Sequence, residues 1–149
     1  MNVTISDLLI EQVIAATPAQ TVGQVRHTMR ERGVNCMPIV DSQQQPVGIV
    51  TATDLLQDFP VDKPISEIMT EKVYTVTRYS DVSLAARIMR NHSIHHVIVT
   101  EEKKVVGIIS SYDLLKLVEE HRFVMKNPPT TSKKSGGRRR KDEVLGQNE

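Results

Sequence analysis

The chain repeats itself. Ile5-Ser6 recurs as Ile65-Ser66, Val13 as Val73, Thr17 as Thr77, Val22 as Val82, and Met29-Arg30 as Met89-Arg90, each 60 positions on. Asp41-Ser42-Gln43-Gln44-Gln45-Pro46 then faces the one-residue-shorter Glu101-Glu102-Lys103-Lys104-Val105. Beyond it the offset is 59: Val47-Gly48-Ile49 recurs as Val106-Gly107-Ile108, and Asp54-Leu55-Leu56 as Asp113-Leu114-Leu115. A length change confined to a polar turn is what a duplicated fold tolerates. Self-similarity at a long period means that one supersecondary unit is built twice.

Both units read as strand, helix, strand, strand, helix. Short extended stretches (Val13–Ala16, Val73–Val76) precede the first helix. In the first unit Thr21 and Gln24 fit a reciprocal cap, with Val22, Val25 and Met29 at helical spacing; in the second, Asp81 is the cap and Val82, Ala85 and Met89 form the stripe. Two apolar runs joined by a polar turn follow as a hairpin, Cys36–Val40 with Val47–Thr51 and His96–Thr100 with Val105–Ser110. The second helix is predicted to start near Ala52 or Ser111 and, in the second unit, to run to about Phe123. A unit of about 60 residues buries too little surface to be comfortable alone. Two packed sheet against sheet would share one core. The expectation is an α/β chain of two β-α-β-β-α repeats related by a pseudo-two-fold, residues 1–62 and 63–125, with a tail at 126–149.

That core must be aliphatic, because aromatics are only 3% and Trp is absent. Sparse aromatics also argue against a base-stacking surface for single-stranded nucleic acid. Cys36 is the one cysteine, so no internal disulfide forms and nothing suggests an oxidising compartment. No apolar run approaches the roughly 20 residues of a membrane helix, and Met1–Asp7 does not read as a signal peptide. A cytoplasmic location without membrane attachment is the expectation. Net charge is +1, but residues 1–125 carry 12 basic and 15 acidic side chains while 126–149 carry 7 and 3. The body is mildly acidic and the tail basic.

The segments of chemical interest are Gly48-Ile49-Val50-Thr51-Ala52-Thr53-Asp54 and Gly107-Ile108-Ile109-Ser110-Ser111-Tyr112-Asp113. Thr51 and Ser110 fall where a strand ends and a helix begins, where backbone N–H groups without helical partners would face an anion. Asp54 and Asp113 offer carboxylates that can accept from two vicinal ribose hydroxyls. Gly48 and Gly107 would allow close backbone approach. One copy alone reads equally well as a helix cap. Two copies in register favour ligand binding.

These segments resemble the Gly-hydrophobic-x-Thr/Ser-x-x-Asp motif of the cystathionine-β-synthase (CBS) domain family, and Asn35-Cys36-Met37-Pro38-Ile39-Val40 is similar to its second-strand signature. The resemblance spans residues 5 to about 120. It implies a tandem CBS pair with two clefts, each completed by the other repeat. One would combine Ser110, Tyr112 and Asp113 with Ala16, Thr17, Val34, Asn35 and Cys36. The other would combine Thr51, Thr53 and Asp54 with Val76, Thr77, Ile94, His95 and His96. The implied ligands are AMP, ADP or ATP, with S-adenosylmethionine or NAD as alternatives. The implied module is regulatory and homodimeric, and acts through a partner protein or its own assembly. Ile98 stands where the first repeat has Pro38, so the two clefts are expected to differ. Arg78 and Lys104 are candidate phosphate partners.

Other features point less far. Strand alternation predicts that His95 and His96 face opposite ways, and no Cys, Asp or Glu stands among His92, His95 and His96 to complete a tetrahedral metal set. Cys36, opening an apolar strand, reads as a small core residue rather than a nucleophile. There are no paired catalytic carboxylates, no Ser-His-Asp arrangement and no Walker loop, so no enzyme is expected. The tail, Lys133-Lys134-Ser135-Gly136-Gly137-Arg138-Arg139-Arg140-Lys141 after Pro128-Pro129, has the composition of disorder. It is either a solubilising tail or an electrostatic contact for nucleic acid or another anionic partner. The rival reading of the whole chain is a ligand-free scaffold.

Overall fold

The computed structural model describes residues 2–9 and 13–120. Ile5–Leu8 forms a single helical turn, α1, and Val22–Arg32 forms α2. Thr21 starts α2 as its cap: the Gln24 N–H donates to Thr21 Oγ1 at 3.2 Å, and the Thr21 N–H donates to Gln24 Oε1 at 2.9 Å. Gly33, at φ +64°, ends it in the left-handed conformation. Strands β1 (Cys36–Val40) and β2 (Pro46–Thr51) then pair as an antiparallel hairpin. The second half has β3 (Thr75–Thr77), α3 (Val82–His92) and an antiparallel pair, β4 (His96–Glu101) and β5 (Lys104–Ser110). The helix α4 (Ser111–Glu119) closes it. Asp81 caps α3 through the Ser83 N–H at 2.8 Å. The β4–β5 turn places Glu102 and Lys103 at φ 50° and 67° without a glycine or asparagine between the strands.

The two halves differ where single residues differ. The Ile98 N–H donates to the Tyr74 carbonyl at 3.1 Å and β3 pairs in parallel with β4 over three positions. The matching residue of the first half, Pro38, has no N–H. There the extended stretch expected at Val13–Ala16 makes only a single bridge, Ala16 to Ile39. The first half's second helix is also shorter than the sequence predicts. It is one 3-10 turn, Asp54–Leu56. Pro60 disfavours helical backbone at the residue before it, and Arg26 Nη2 reaches across from α2 to donate to the carbonyls of Leu55 (2.8 Å) and Gln57 (2.7 Å). The expected end of the last helix, Phe123, and the basic tail lie outside the described residues.

The core is two clusters rather than the single shared one expected. Val22, Val25, Met29, Met37, Ile39, Val50 and Leu55 form one, and Val76, Ala85, Met89, Val97, Val99, Ile109 and Leu117 the other. Each is completed by the leading segment of the other repeat. Ile5 and Leu8 of α1 pack into the second cluster, while Ile65 packs into the first. Backbone bonds hold these exchanged segments. The Ile5 N–H donates to Ser80 O (2.9 Å) and the Val82 N–H to Val3 O (3.0 Å); the Ile65 N–H donates to Gln20 O (2.7 Å) and the Val22 N–H to Lys63 O (2.8 Å). The sequence repeats 1–62 and 63–125 therefore do not coincide with the two packed halves.

Candidate functional site

Each Thr/Ser-x-x-Asp segment closes on itself. The Thr51 N–H donates to Asp54 Oδ2 (2.9 Å) and the Asp54 N–H to Thr51 Oγ1 (3.3 Å). In the second half the Ser110 N–H donates to Asp113 Oδ2 (2.8 Å) and the Asp113 N–H to Ser110 Oγ (3.1 Å). The next amides are also engaged, Ala52 N–H with Asn35 O (2.8 Å) and Ser111 N–H with His95 O (2.9 Å). The expectation that unpartnered N–H groups face an anion there narrows to the Thr53 and Tyr112 N–H groups, which take no part in these bonds. The hydroxyl hydrogens of Thr51 and Ser110 and the second oxygen, Oδ1, of each carboxylate take no part in these bonds.

Two cavities lie against these segments. The larger, about 630 Å³, brings Thr51, Thr53 and Asp54 of the first repeat together with Tyr74, His92, Ile94, His95 and His96 of the second. Lys72, Thr70 and Asn35 also line it. The other, about 440 Å³, joins Ser110 and Asp113 to Val13, Ile14, Val34, Asn35 and Cys36 of the first repeat, with Leu8, Ile108 and His96. Both volumes suit a small organic ligand. Each combines the acidic motif of one repeat with a wall from the other, and Asn35 and His96 border both.

Several expected lining residues lie elsewhere. Ala16 and Val76 are buried in the two core clusters, while Thr17, Thr77 and Tyr112 are exposed and line neither cavity. Val13-Ile14 and Tyr74 take their places, two or three residues earlier in the chain. His95 and His96 line the same cavity despite the expected alternation, because His95 precedes β4. Gly48 and Gly107 serve packing rather than ligand approach: a Cβ on Gly48 would overlap the thioether of Met69, and one on Gly107 would overlap a methyl of Leu9. Arg78 pairs with Glu101 at 3.1 Å beside a third cavity of about 430 Å³ that contains neither motif. Lys104 lines none of the three, so among the described residues the lysine at a motif cavity is Lys72, which sequence reasoning missed.

At the rim of the larger cavity Lys72 Nζ stands 5.7 Å from the Tyr74 ring, and Tyr74 stacks on His92 with centroids 4.1 Å apart. His95 Nδ1 lies 3.4 Å from Ser111 Oγ. Burial first, and then the neighbouring His95, lower the His96 pKa from the usual histidine value, with Asp113 opposing. Burial, assisted by the Asp54 carboxylate, pushes the Cys36 thiol up to about 12, so it stays protonated and unreactive. Among the described residues no three His, Cys, Asp or Glu side chains are grouped to hold a metal ion. Among them, too, no helix is long and apolar enough to cross a membrane.

The CBS domain family profile matches residues 5–60 and again 65–120. The chain belongs to the CBS domain family. A CBS pair is a regulatory ligand-binding module. The fold is similar to that of the CBS domain pair of protein MJ0100, solved in complex with 5'-methylthioadenosine and S-adenosyl-L-methionine, at a TM-score of 0.75 and 28% identity, covering 81% of this chain and 99% of that one. Protein MK0525 of Methanopyrus kandleri is 29% identical over 78% of this chain, which spans 63% of that protein's length. Inosine-5'-monophosphate dehydrogenase of Methanocaldococcus jannaschii is 28% identical over 74% of the chain, which spans 22% of that enzyme.

Proposed function

We propose that this CBS pair is a non-catalytic sensor of adenosine-containing metabolites, with AMP, ADP, ATP, S-adenosylmethionine and methylthioadenosine as the ligand class. The observation that carries the reading is the composition of the two cavities: each sets a carboxylate and a hydroxyl of one repeat against a wall of the other, aliphatic around Asp113 and formed by Tyr74, Ile94 and basic side chains around Asp54. Asp54 or Asp113 accepts the ribose hydroxyls through Oδ1, and Thr51 or Ser110 donates its hydroxyl hydrogen. Asn35 and Ile94, or Val13, Ile14 and Val34, hold the base. A ligand so bound touches both repeats at once and favours one arrangement of the two halves. The binding of 5'-methylthioadenosine and S-adenosyl-L-methionine by the MJ0100 pair supports the ligand class.

Output passes through assembly. Leu56 and Leu115 occupy equivalent positions and are exposed, and Tyr112, Leu115 and Val118 extend the second into an apolar stripe along α4. A second copy covers this stripe in a two-fold dimer. Light scattering of the chain ended at Glu120 should give twice the protomer mass, and a monomer at tens of micromolar would remove the dimer.

Thermal unfolding tests the sensor itself. Saturation at 100 times Kd stabilises by about 2.7 kcal/mol per site. The expected result is a rise in Tm with adenosine-bearing compounds and much less with GMP or CMP. If no such compound moves Tm at millimolar concentration, the chain is a scaffold with empty clefts.

A further inference from the structure

We infer, resting on the adenosine-ligand reading above, that the two cavities divide their ligands by charge: the cavity of Asp54 takes a phosphorylated adenosine nucleotide, and the cavity of Asp113 takes an adenosine derivative without phosphate. The linings differ in kind. Around Asp54 stand the Lys72 ammonium and the imidazoles of His92, His95 and His96, with Thr51, Thr53 and Thr70 as hydroxyl donors. Among the described residues the lining around Asp113 contains no Lys or Arg, and its one basic side chain is the half-buried His96, which also borders the Asp54 cavity. Leu8, Val13, Ile14, Val34, Cys36 and Ile108 line it as well, together with the polar Asn35 and Ser110.

A phosphate in the second cavity would meet the Asp113 carboxylate with no fixed cation among the described residues to offset it, and desolvating an unpaired anion is costly. The start of α4 offers it the Tyr112 N–H alone, as the other turn offers that of Thr53. The N–H groups of Ser110, Ser111 and Asp113 already donate to Asp113 Oδ2, His95 O and Ser110 Oγ. The start of the Asp54 turn is engaged in the same way, so the backbone does not distinguish the two sites. The side chains do. Lys72 is an exposed side chain at the cavity rim, stationed over Tyr74, which suits a phosphate tail that projects outward from a buried nucleoside. The uncharged thioether tail of methylthioadenosine suits the aliphatic side chains of the other cavity, Leu8, Val13, Ile14 and Ile108.

Calorimetry on the full chain tests this with AMP, adenosine and methylthioadenosine as titrants at low and high salt. AMP should bind at one site with salt-sensitive affinity, and methylthioadenosine at another with little salt dependence. Asp54→Ala should abolish the AMP site alone, and Asp113→Ala the methylthioadenosine site alone. Because both aspartates also hold local turns, Lys72→Glu is the variant that leaves the fold untouched. It should weaken AMP about tenfold, the effect of reversing one partly screened charge near a phosphate, and leave methylthioadenosine unchanged. The division by charge is overturned if AMP and methylthioadenosine compete for one site, if AMP survives Asp54→Ala and fails in Asp113→Ala, or if Lys72→Glu weakens both equally. Absence of binding by all three compounds would instead overturn the adenosine reading beneath it.

Discussion

Ile5→Ala probes the exchange of leading segments, on which both cavities depend. Ile5 is fully buried, yet its neighbours Val76, Ala85, Met89, Val97 and Ile109 belong to the second repeat. The substitution removes three carbons, about 2.4 kcal/mol at roughly 0.8 kcal/mol per buried methylene. A residual cavity between α1, α3 and β4 adds to this, so the loss should fall at about 3–4 kcal/mol. For a domain of this size that corresponds to a Tm lower by on the order of 10 °C. Urea unfolding gives the free energy, and the neighbouring exposed Ser6→Ala serves as the control near zero. Methyl NMR gives the location. The resonances of Val97 and Ile109 should shift, while those of Val25 and Ile39 in the other cluster should not. A loss under about 1 kcal/mol, or shifts centred on Val25 and Ile39, would refute the exchanged packing and with it the claim that sequence repeats and packed halves differ.

Gly48→Ala should destabilise by about 1–3 kcal/mol through overlap with Met69, and Met69→Ala in the same chain should recover part of it; additivity in that double-mutant cycle would show that the contact is not the cause. Replacing Glu102-Lys103 by Asn-Gly should stabilise by about 1–2 kcal/mol, since both residues hold a positive φ that favours those types; an unchanged urea midpoint would mean the turn carries no strain. The lowered pKa of His96 has a definite sign. The unfolded chain protonates this imidazole first as pH falls through about 6.5, so stability should decline below that pH and level off below the folded value. His96→Gln should flatten this limb of the pH–stability curve, and an identical curve would show that His96 is not its source.

Much of this protein was legible in the order of its residues. The duplication fixed the number of units. The caps at Thr21 and Asp81 set the starts of α2 and α3, and the apolar runs set both hairpins to within a residue or two, because these signals act over one turn of chain. The motif halves of the cavities, Thr51–Asp54 and Ser110–Asp113, were readable for the same reason. The opposing walls were less so. Which residue of an extended stretch faces a cleft depends on strand register, and a shift of two or three residues replaced Ala16, Thr17, Val76 and Thr77 by Val13, Ile14 and Tyr74. Lys72 carried no local signal, since its place at the rim comes from the path of the chain between Thr70 and Tyr74. The partners of Ile5 and Ile65 were beyond a local reading as well. Identical Ile-Ser pairs fit either repeat's core equally by composition, and only the tertiary structure, through the backbone bonds at Ser80, Val82, Gln20 and Val22, decides that each packs into the other's.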